Sequence, residues 1–154
     1  MEARDLMTRE PDVCLPTDSC AVAADIMRRR PCGFVPVVDG PATRRVVGVV
    51  TDRDLALYLA QADCCASEAP VSACMTREVK TVTQDAELEE VARTMEGAGV
   101  HRLPVIERGR LVGVLSLSDL ALAARKEWAS PGPHRAGAQL LDILEAIAAA
   151  RTAL

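Results

Sequence analysis

The sequence predicts an α/β fold, α+β in detail: two tandem β-α-β-β-α units in one pseudo-two-fold module, with an extra helix at the C-terminus. Three observations predict it. The chain repeats itself at long period, each copy sets an amphipathic helix among short extended runs, and one strand-to-helix junction recurs at matched spacing. Met7-Thr8-Arg9-Glu10 returns as Met75-Thr76-Arg77-Glu78, a shift of 68 that holds through Ala24/Ala92, Met27/Met95, Pro36/Pro104 and Val37/Val105. The shift then becomes 65, so that Gly48 to Leu57 overlies Gly113 to Leu122, with the loop around Gly40-Pro41-Ala42 taking up the difference. A period this long marks a tandem pair of small domains and not a solenoid. Halves this small bury little core alone and are expected to pack on one another.

Each half opens on a short extended run, Val13-Cys14-Leu15 and Val79 to Val82. Thr17-Asp18-Ser19 and Asp85-Ala86-Glu87 follow as N-cap candidates, their acidic charge suiting the helix dipole. Cys20, Ala23, Ala24 and Met27, and likewise Leu88, Val91, Ala92 and Met95, fall at i, i+3, i+4 and i+7, the stripe of a helix packed on one face. Arg28-Arg29-Arg30 sits in the last turn of the first helix, where cations complement the dipole, and reads as a solvated helix end ahead of a binding patch. Pro31 and Gly33, and Gly97 and Gly99, are expected to stop the helices. Phe34 to Val38 and Arg102 to Ile106 read as strands whose proline implies an edge or a strand start. Val46 to Thr51 and Leu111 to Ser116 form the third strands, and Leu55 to Leu59 and Leu120 to Ala124 begin second helices. The domains are expected at 3–62 and 71–126. After Ser130-Pro131-Gly132-Pro133, a helix at 134–154 carries Leu140, Ile143, Leu144 and Ile147 as an apolar stripe, which either packs on its own domain or lies across a dimer interface.

Composition narrows the function. With 154 residues and 49% hydrophobic content the chain folds, and no apolar run approaches the roughly 20 residues of a bilayer span. The start, Met1-Glu2-Ala3-Arg4-Asp5, lacks a signal peptide's apolar segment, so a cytoplasmic location without membrane association is expected. A net charge of −4 argues against a nucleic-acid partner, and Phe34, Tyr58 and Trp128 are too few to stack successive bases. The six cysteines include no C-x-x-C and have two histidines for company, so no metal site is expected. Cys14, Cys20 and Cys32 align with Val82, Leu88 and Val100 and read as small buried hydrophobes. Cys64-Cys65 lies in the connector, where a bland linker position outweighs a redox role.

The chemistry concentrates at the junctions Gly48-Val-Val-Thr51-Asp52-Arg53-Asp54 and Gly113-Val-Leu-Ser116-Leu117-Ser118-Asp119. Glycine lets a strand backbone approach something flat, and a hydroxyl follows three residues on. The helix beginning there offers N–H groups to an anion. Asp54 and Asp119 stand in the first turn, where a carboxylate can accept from two vicinal hydroxyls, as a ribose requires. Thr51-x-x-Asp54 and Ser116-x-x-Asp119 equally match a capping box, and spacing alone leaves both readings open.

The repeated pattern hydrophobic-Pro-Val-hydrophobic, turn, Gly-h-h-[Thr/Ser]-x-x-Asp, each copy preceded by a capped helix, resembles a CBS-domain pair over about residues 3–125. The resemblance implies two motifs packed through their sheets into a disc-like module, often paired as a homodimer. It also implies an adenine nucleotide (AMP, ADP, ATP or S-adenosylmethionine) in the clefts between motifs. Carried over, Asp54 and Asp119 would hold ribose, with Thr51 and Ser116 meeting phosphate. Val100-His101-Arg102-Leu103-Pro104-Val105 with the second junction is similar to nucleotide-binding repeats of the gamma subunit of AMP-activated protein kinase. On that likeness His101 and Arg102 would contact phosphate with Ser118 beside them, and Val114 and its counterpart Val49 would line sugar and base. The first repeat departs from the pattern, with Gly33 and Phe34 in place of His101 and Arg102, but it gains Arg53 at the helix start. Two unequal sites are expected.

No nucleophile elbow, P-loop, H-E-x-x-H or paired carboxylate points to an enzyme, and His101 has no visible partner for general-base work. The reading is a non-catalytic regulatory module acting alone or on a separate regulated protein. The alternative is an interaction or dimerisation scaffold without a nucleotide.

Overall fold

The computed structural model describes residues 1–129, Gly132 and 135–152. In chain order the elements are a helical turn α1 (Ala3–Leu6), strand β1 (Thr8–Arg9), α2 (Cys20–Arg29), β2 (Phe34–Val38), β3 (Val46–Thr51) and α3 (Asp52–Ala62). A 3-10 turn at Val71–Ala73 leads to β4 (Val82–Thr83), α4 (Leu88–Ala98), β5 (Arg102–Glu107), β6 (Arg110–Ser116), α5 (Leu117–Trp128) and α6 (Arg135–Thr152). The fold is mixed α+β, with the duplicated order expected from the repeat.

The chain forms two compact bodies. One comprises Glu10–Val79 and Arg108–Leu111; the other comprises Met1–Arg9, Lys80–Glu107 and Val112–Leu154. The leading segment of each repeat is therefore exchanged: Met1–Arg9 joins the body of the second repeat, and the Met75-Thr76 segment stays with the first. In the second body the sheet runs β1-β6-β5-β4, with Thr8 opposite Val114 in antiparallel pairing and β4 parallel to β5. The first body has the same order in reduced form. Its β2–β3 hairpin is flanked by single bridges, antiparallel from Thr76 to Val49 and parallel from Cys14 to Val37.

The opening strands are shorter than the sequence suggests. Val13-Cys14-Leu15 reduces to the Cys14 bridge, and Val79 donates its N–H to the Arg77 carbonyl in a tight turn, delaying β4 to Val82. The expected side-chain caps also differ. Ser19 and Glu87 are the N-cap residues, and neither side chain caps its helix. Asp18 instead accepts the Leu15 N–H at 2.7 Å, and Asp85 pairs with Arg4 at 2.6 Å. Gly97 lies inside α4 and does not stop it; Gly99, left-handed at φ 63°, does. Arg28 and Arg29 pair with Asp25, and Arg30 pairs with Asp12, as a solvated helix end should.

Each body has its own apolar core. Ala23, Ile26, Val35, Val37, Val50 and Leu55 centre the first; Val91, Met95, Leu103, Val105, Leu115 and Leu120 centre the second. Cys14 and Cys20 are fully buried among apolar neighbours. Cys32 is only half-buried, with its thiol donating to the Phe34 carbonyl. Cys64 is half-buried and Cys65 exposed.

Helix α6 packs on α4 and α5 of its own body, burying Ala136 and Ile143 completely with Leu140 against the same core. Leu144 departs from the expected stripe and is 45% exposed; the Ile147 side chain lies outside the described residues. Among the described residues no helix is long and apolar enough to cross a membrane, and no group of three His, Cys, Asp or Glu is placed to hold a metal ion.

Candidate functional site

Strand β3 alternates. Gly48 and Val50 are buried, while Val47, Val49 and Thr51 are half-exposed on the opposite face. Strand β6 does the same, with Gly113 and Leu115 inward and Val112, Val114 and Ser116 half-exposed. Period-2 alternation thus puts each junction hydroxyl on the same face as the valine two residues before it. Thr51 pairs with Phe34 and Val49 with Pro36 across the β2–β3 hairpin, which adds an aromatic ring and a proline to this face. Neither residue was expected from sequence to line the site. The 68-residue shift carried the signal, since it places Phe34 at the position of Arg102 and Pro36 at that of Pro104.

At the head of α3, the Asp54 Oδ2 accepts from the Thr51 N–H at 2.9 Å and from the Thr51 hydroxyl at 2.7 Å. The Asp54 N–H returns a bond to Thr51 Oγ1 at 3.1 Å. At the head of α5, Asp119 Oδ2 accepts from the Ser116 N–H at 2.8 Å and its hydroxyl at 2.6 Å. The capping box is therefore present in both copies. It engages one oxygen of each carboxylate. Among the described residues no hydrogen bond reaches Oδ1 of Asp54 or Asp119, and both residues remain half-exposed. Cap and sugar ligand are compatible roles for the same side chain.

The glycines do something other than expected. Gly48 and Gly113 do not clear their strand for a flat ligand. A Cβ at Gly48 would meet the Met75 side chain, and one at Gly113 would meet Met7. Each methionine comes from the exchanged segment and occupies the inward face, opposite the valine and hydroxyl.

His101 precedes β5 with its side chain exposed, and its carbonyl accepts the Leu117 N–H at 3.0 Å, tying the strand start to the helix start. Arg102 is half-buried at the first position of β5, and β5 lies beside β6. Among the described residues the guanidinium groups of Arg102 and Arg53 make no hydrogen bond or ion pair. Ser118 is exposed in the first turn of α5. His101, Arg102, Val114, Ser116, Ser118 and Asp119 thus belong to one body, and Val49, Thr51, Arg53 and Asp54 to the other.

The two junctions differ at one residue that sequence reading passed over. Asp52, the counterpart of Leu117, lays its carboxylate over Gly33, in the space a Cβ there would take. Its Oδ1 also accepts the Arg53 N–H at 2.8 Å. The anion-attracting end of α3 is already served by its own side chain, whereas the second junction has the half-buried Leu117 there.

A duplicated β-α-β-β-α body with a Gly…[Thr/Ser]-x-x-Asp junction in each copy defines a tandem domain pair. Residues 3–61 and 71–126 match the CBS domain family, and the chain belongs to it. The protein YlbB of Bacillus subtilis (strain 168) is 34% identical over 142 residues, 92% of this chain and 90% of YlbB. Among solved structures, the CBS domain pair of protein MJ0100 in complex with 5′-methylthioadenosine and S-adenosyl-L-methionine is similar with a TM-score of 0.72. It is 25% identical and covers 82% of this chain and 98% of that one. CBSX2 in complex with AMP gives a TM-score of 0.68 at 27% identity, covering 82% of this chain and 98% of that one.

Proposed function

We propose that the protein is a non-catalytic regulatory module that binds an adenine nucleotide at its strand-to-helix junctions and passes the binding event to a separate partner. The observation that carries this is the Ser116–Asp119 arrangement. A carboxylate held by its own cap keeps one oxygen for a sugar diol, with Arg102, otherwise unpaired among the described residues, at the start of the neighbouring strand. Arg102 supplies the cation that a phosphate group needs, His101 a ring N–H beside it, and Val114 apolar contact for the base. The relatives solved with AMP, and with 5′-methylthioadenosine and S-adenosyl-L-methionine, support the ligand class.

The two junctions differ in ligand preference on this reading. The second takes the phosphate-bearing ligand. At the first, the Asp52 carboxylate repels phosphate and offsets Arg53, so an uncharged or cationic adenosine derivative suits it better. Ligand acts by binding one arrangement of the module more tightly than another.

Calorimetric titration with AMP, ATP, S-adenosylmethionine and 5′-methylthioadenosine tests this. An AMP-binding component that disappears in Asp119→Ala and leaves only the weaker first junction, with the ligand recovered unchanged, supports the sensor; no heat from any of the four refutes it. A second reading, a dimerisation scaffold, is favoured by Leu57 and Leu122. They occupy equivalent positions on α3 and α5 and are each 57% exposed. Sedimentation of the ligand-free protein reports on it: a homodimer that Leu122→Glu dissociates, combined with silence toward nucleotides, supports the scaffold.

A further inference from the structure

The Cys20 and Cys74 sulfurs lie 3.7 Å apart although 54 residues separate them in the chain. Cys20 opens α2, and Cys74 closes the 3-10 turn at Val71–Ala73. The backbone around them is already joined. Cys20 N–H donates to the Ala69 carbonyl at 2.8 Å, Val71 N–H to Asp18 at 2.7 Å, and Ser72 N–H to Pro16 at 2.9 Å. A disulfide requires the sulfurs to close from this separation to roughly 2.05 Å. The repeat supplies a second argument. The equivalent two positions in the second body are Leu6 and Leu88, so a pair of leucines in one body is replaced by a pair of cysteines in the other. Packing alone asks for no such joint exchange.

We infer that Cys20 and Cys74 form a reversible disulfide when the protein meets a peroxide, clamping the Val71–Thr76 segment to the start of α2. Cys74 is half-buried and Cys20 has no exposed surface, which assigns the order of events. The Cys74 sulfur attacks one peroxide oxygen, the O–O bond breaks, and a sulfenic acid and one water result. The Cys20 sulfur then attacks the Cys74 sulfur and displaces its hydroxyl as a second water. Two thiols and one hydrogen peroxide become one disulfide and two waters, with two electrons passing from sulfur to oxygen.

Burial, with the Cys20 thiol beside it, pushes the Cys74 thiol up to about 12. Its thiolate is therefore scarce at neutral pH, and closure accelerates as pH rises. The clamped segment includes Met75, which packs on Gly48, and Thr76, which pairs with Val49 at 2.8 and 2.9 Å. Both contacts bear on β3, the strand that ends at Thr51. Oxidation would thus stiffen the strand that presents the first junction.

Peptide mapping by mass spectrometry under non-reducing conditions, on the full chain treated with hydrogen peroxide at pH 8, tests the inference. The expected result is a Cys20–Cys74 cross-link with the loss of two hydrogens. The thermal midpoint should rise by roughly 5–15 °C, and dithiothreitol should reverse both changes. Cys65→Ser should leave the cross-link intact. Cys74→Leu, which installs the residue of the other repeat and keeps the site packed, should abolish the cross-link and the rise in midpoint while circular dichroism stays native. The inference is overturned if Cys20 and Cys74 remain thiols after the exposed Cys65 is fully oxidised. A folded protein in which Cys74 bridges to Cys64 or Cys65 instead would also overturn it.

Discussion

Met75 rests on Gly48: a Cβ grown on that glycine would stand 2.8 Å from the methionine Sδ and 3.0 Å from the Thr76 carbonyl oxygen. Met7 makes the same contact with Gly113 in the other body. The sulfur can yield, but the carbonyl is fixed by its pairing with Val49. Gly48→Ala and Gly113→Ala should each destabilise the protein by about 1–3 kcal/mol through overpacking. Gly97→Ala is the control, since it lies inside α4 with nothing within 4 Å of its Cβ. It should stabilise by ~0.5–1 kcal/mol. Urea unfolding midpoints of the three variants check the contrast, and a neutral Gly48→Ala would remove the packing explanation.

Asp52 is expected to set the difference between the two junctions. Asp52→Asn keeps the shape over Gly33 and removes the charge at the head of α3. Affinity of the first junction for AMP should rise about three- to tenfold, with the second junction unchanged. Titration in an Asp119→Ala background isolates the effect. An unchanged or weaker affinity would mean that Asp52 does not discriminate.

Cys14 makes stability depend on pH in the alkaline range. Burial, reinforced by the nearby Asp18 charge, pushes its thiol from an ordinary 9.0 to about 12. A raised acid favours the protonated form in the folded state, so its contribution is complete below pH 9.0 and is lost progressively as pH climbs toward 12. Cys14→Val installs the Val82 residue of the second repeat, removes the titrating group and should flatten this limb. Thermal melts from pH 8 to 11 in both proteins, kept reduced, measure it. Equal slopes would show that Cys14 ionisation is not coupled to unfolding.

Within α6, Ile143 has no exposed surface and Leu144 is 45% exposed. Ile143→Ala should cost about 2–4 kcal/mol by opening a cavity against α4 and α5, while Leu144→Ala should stay within ~0.5 kcal/mol. Comparable losses at both positions would place the helix in a different rotation.

Much of this was legible in the chain because it rests on local periodicity. Stripes such as Leu88, Val91, Ala92 and Met95 locate the helices, and Thr51-x-x-Asp54 locates a helix head. What spacing could not separate was cap from sugar ligand; the structure shows the cap, on one carboxylate oxygen of each aspartate. Contacts between residues far apart in sequence were out of reach. Nothing local says that Thr8 pairs with Val114 across the repeat boundary, that Met7 fills the space above Gly113, or that Cys20 meets Cys74. Nor does the pattern announce that Asp52 covers Gly33, because an acidic residue in a first turn looks the same whether it helps the helix or blocks a guest. The caps expected from Thr17-Asp18-Ser19 and Asp85-Ala86-Glu87 did not form: a turn N–H engages Asp18 and an arginine engages Asp85, while Ser19 and Glu87 hold the N-cap positions without a side-chain cap.

The exchanged leading segments carry a consequence for dissecting this molecule. Met1–Arg9 finishes a sheet made almost entirely of residues beyond Val79, while Thr76 finishes the sheet of residues that precede it. A translation product starting at Glu10 would therefore harm the part of the protein synthesised last. Severing the backbone in the Asp63–Ala69 stretch would instead yield two fragments, each holding the missing edge of the other, that should regain structure only on mixing.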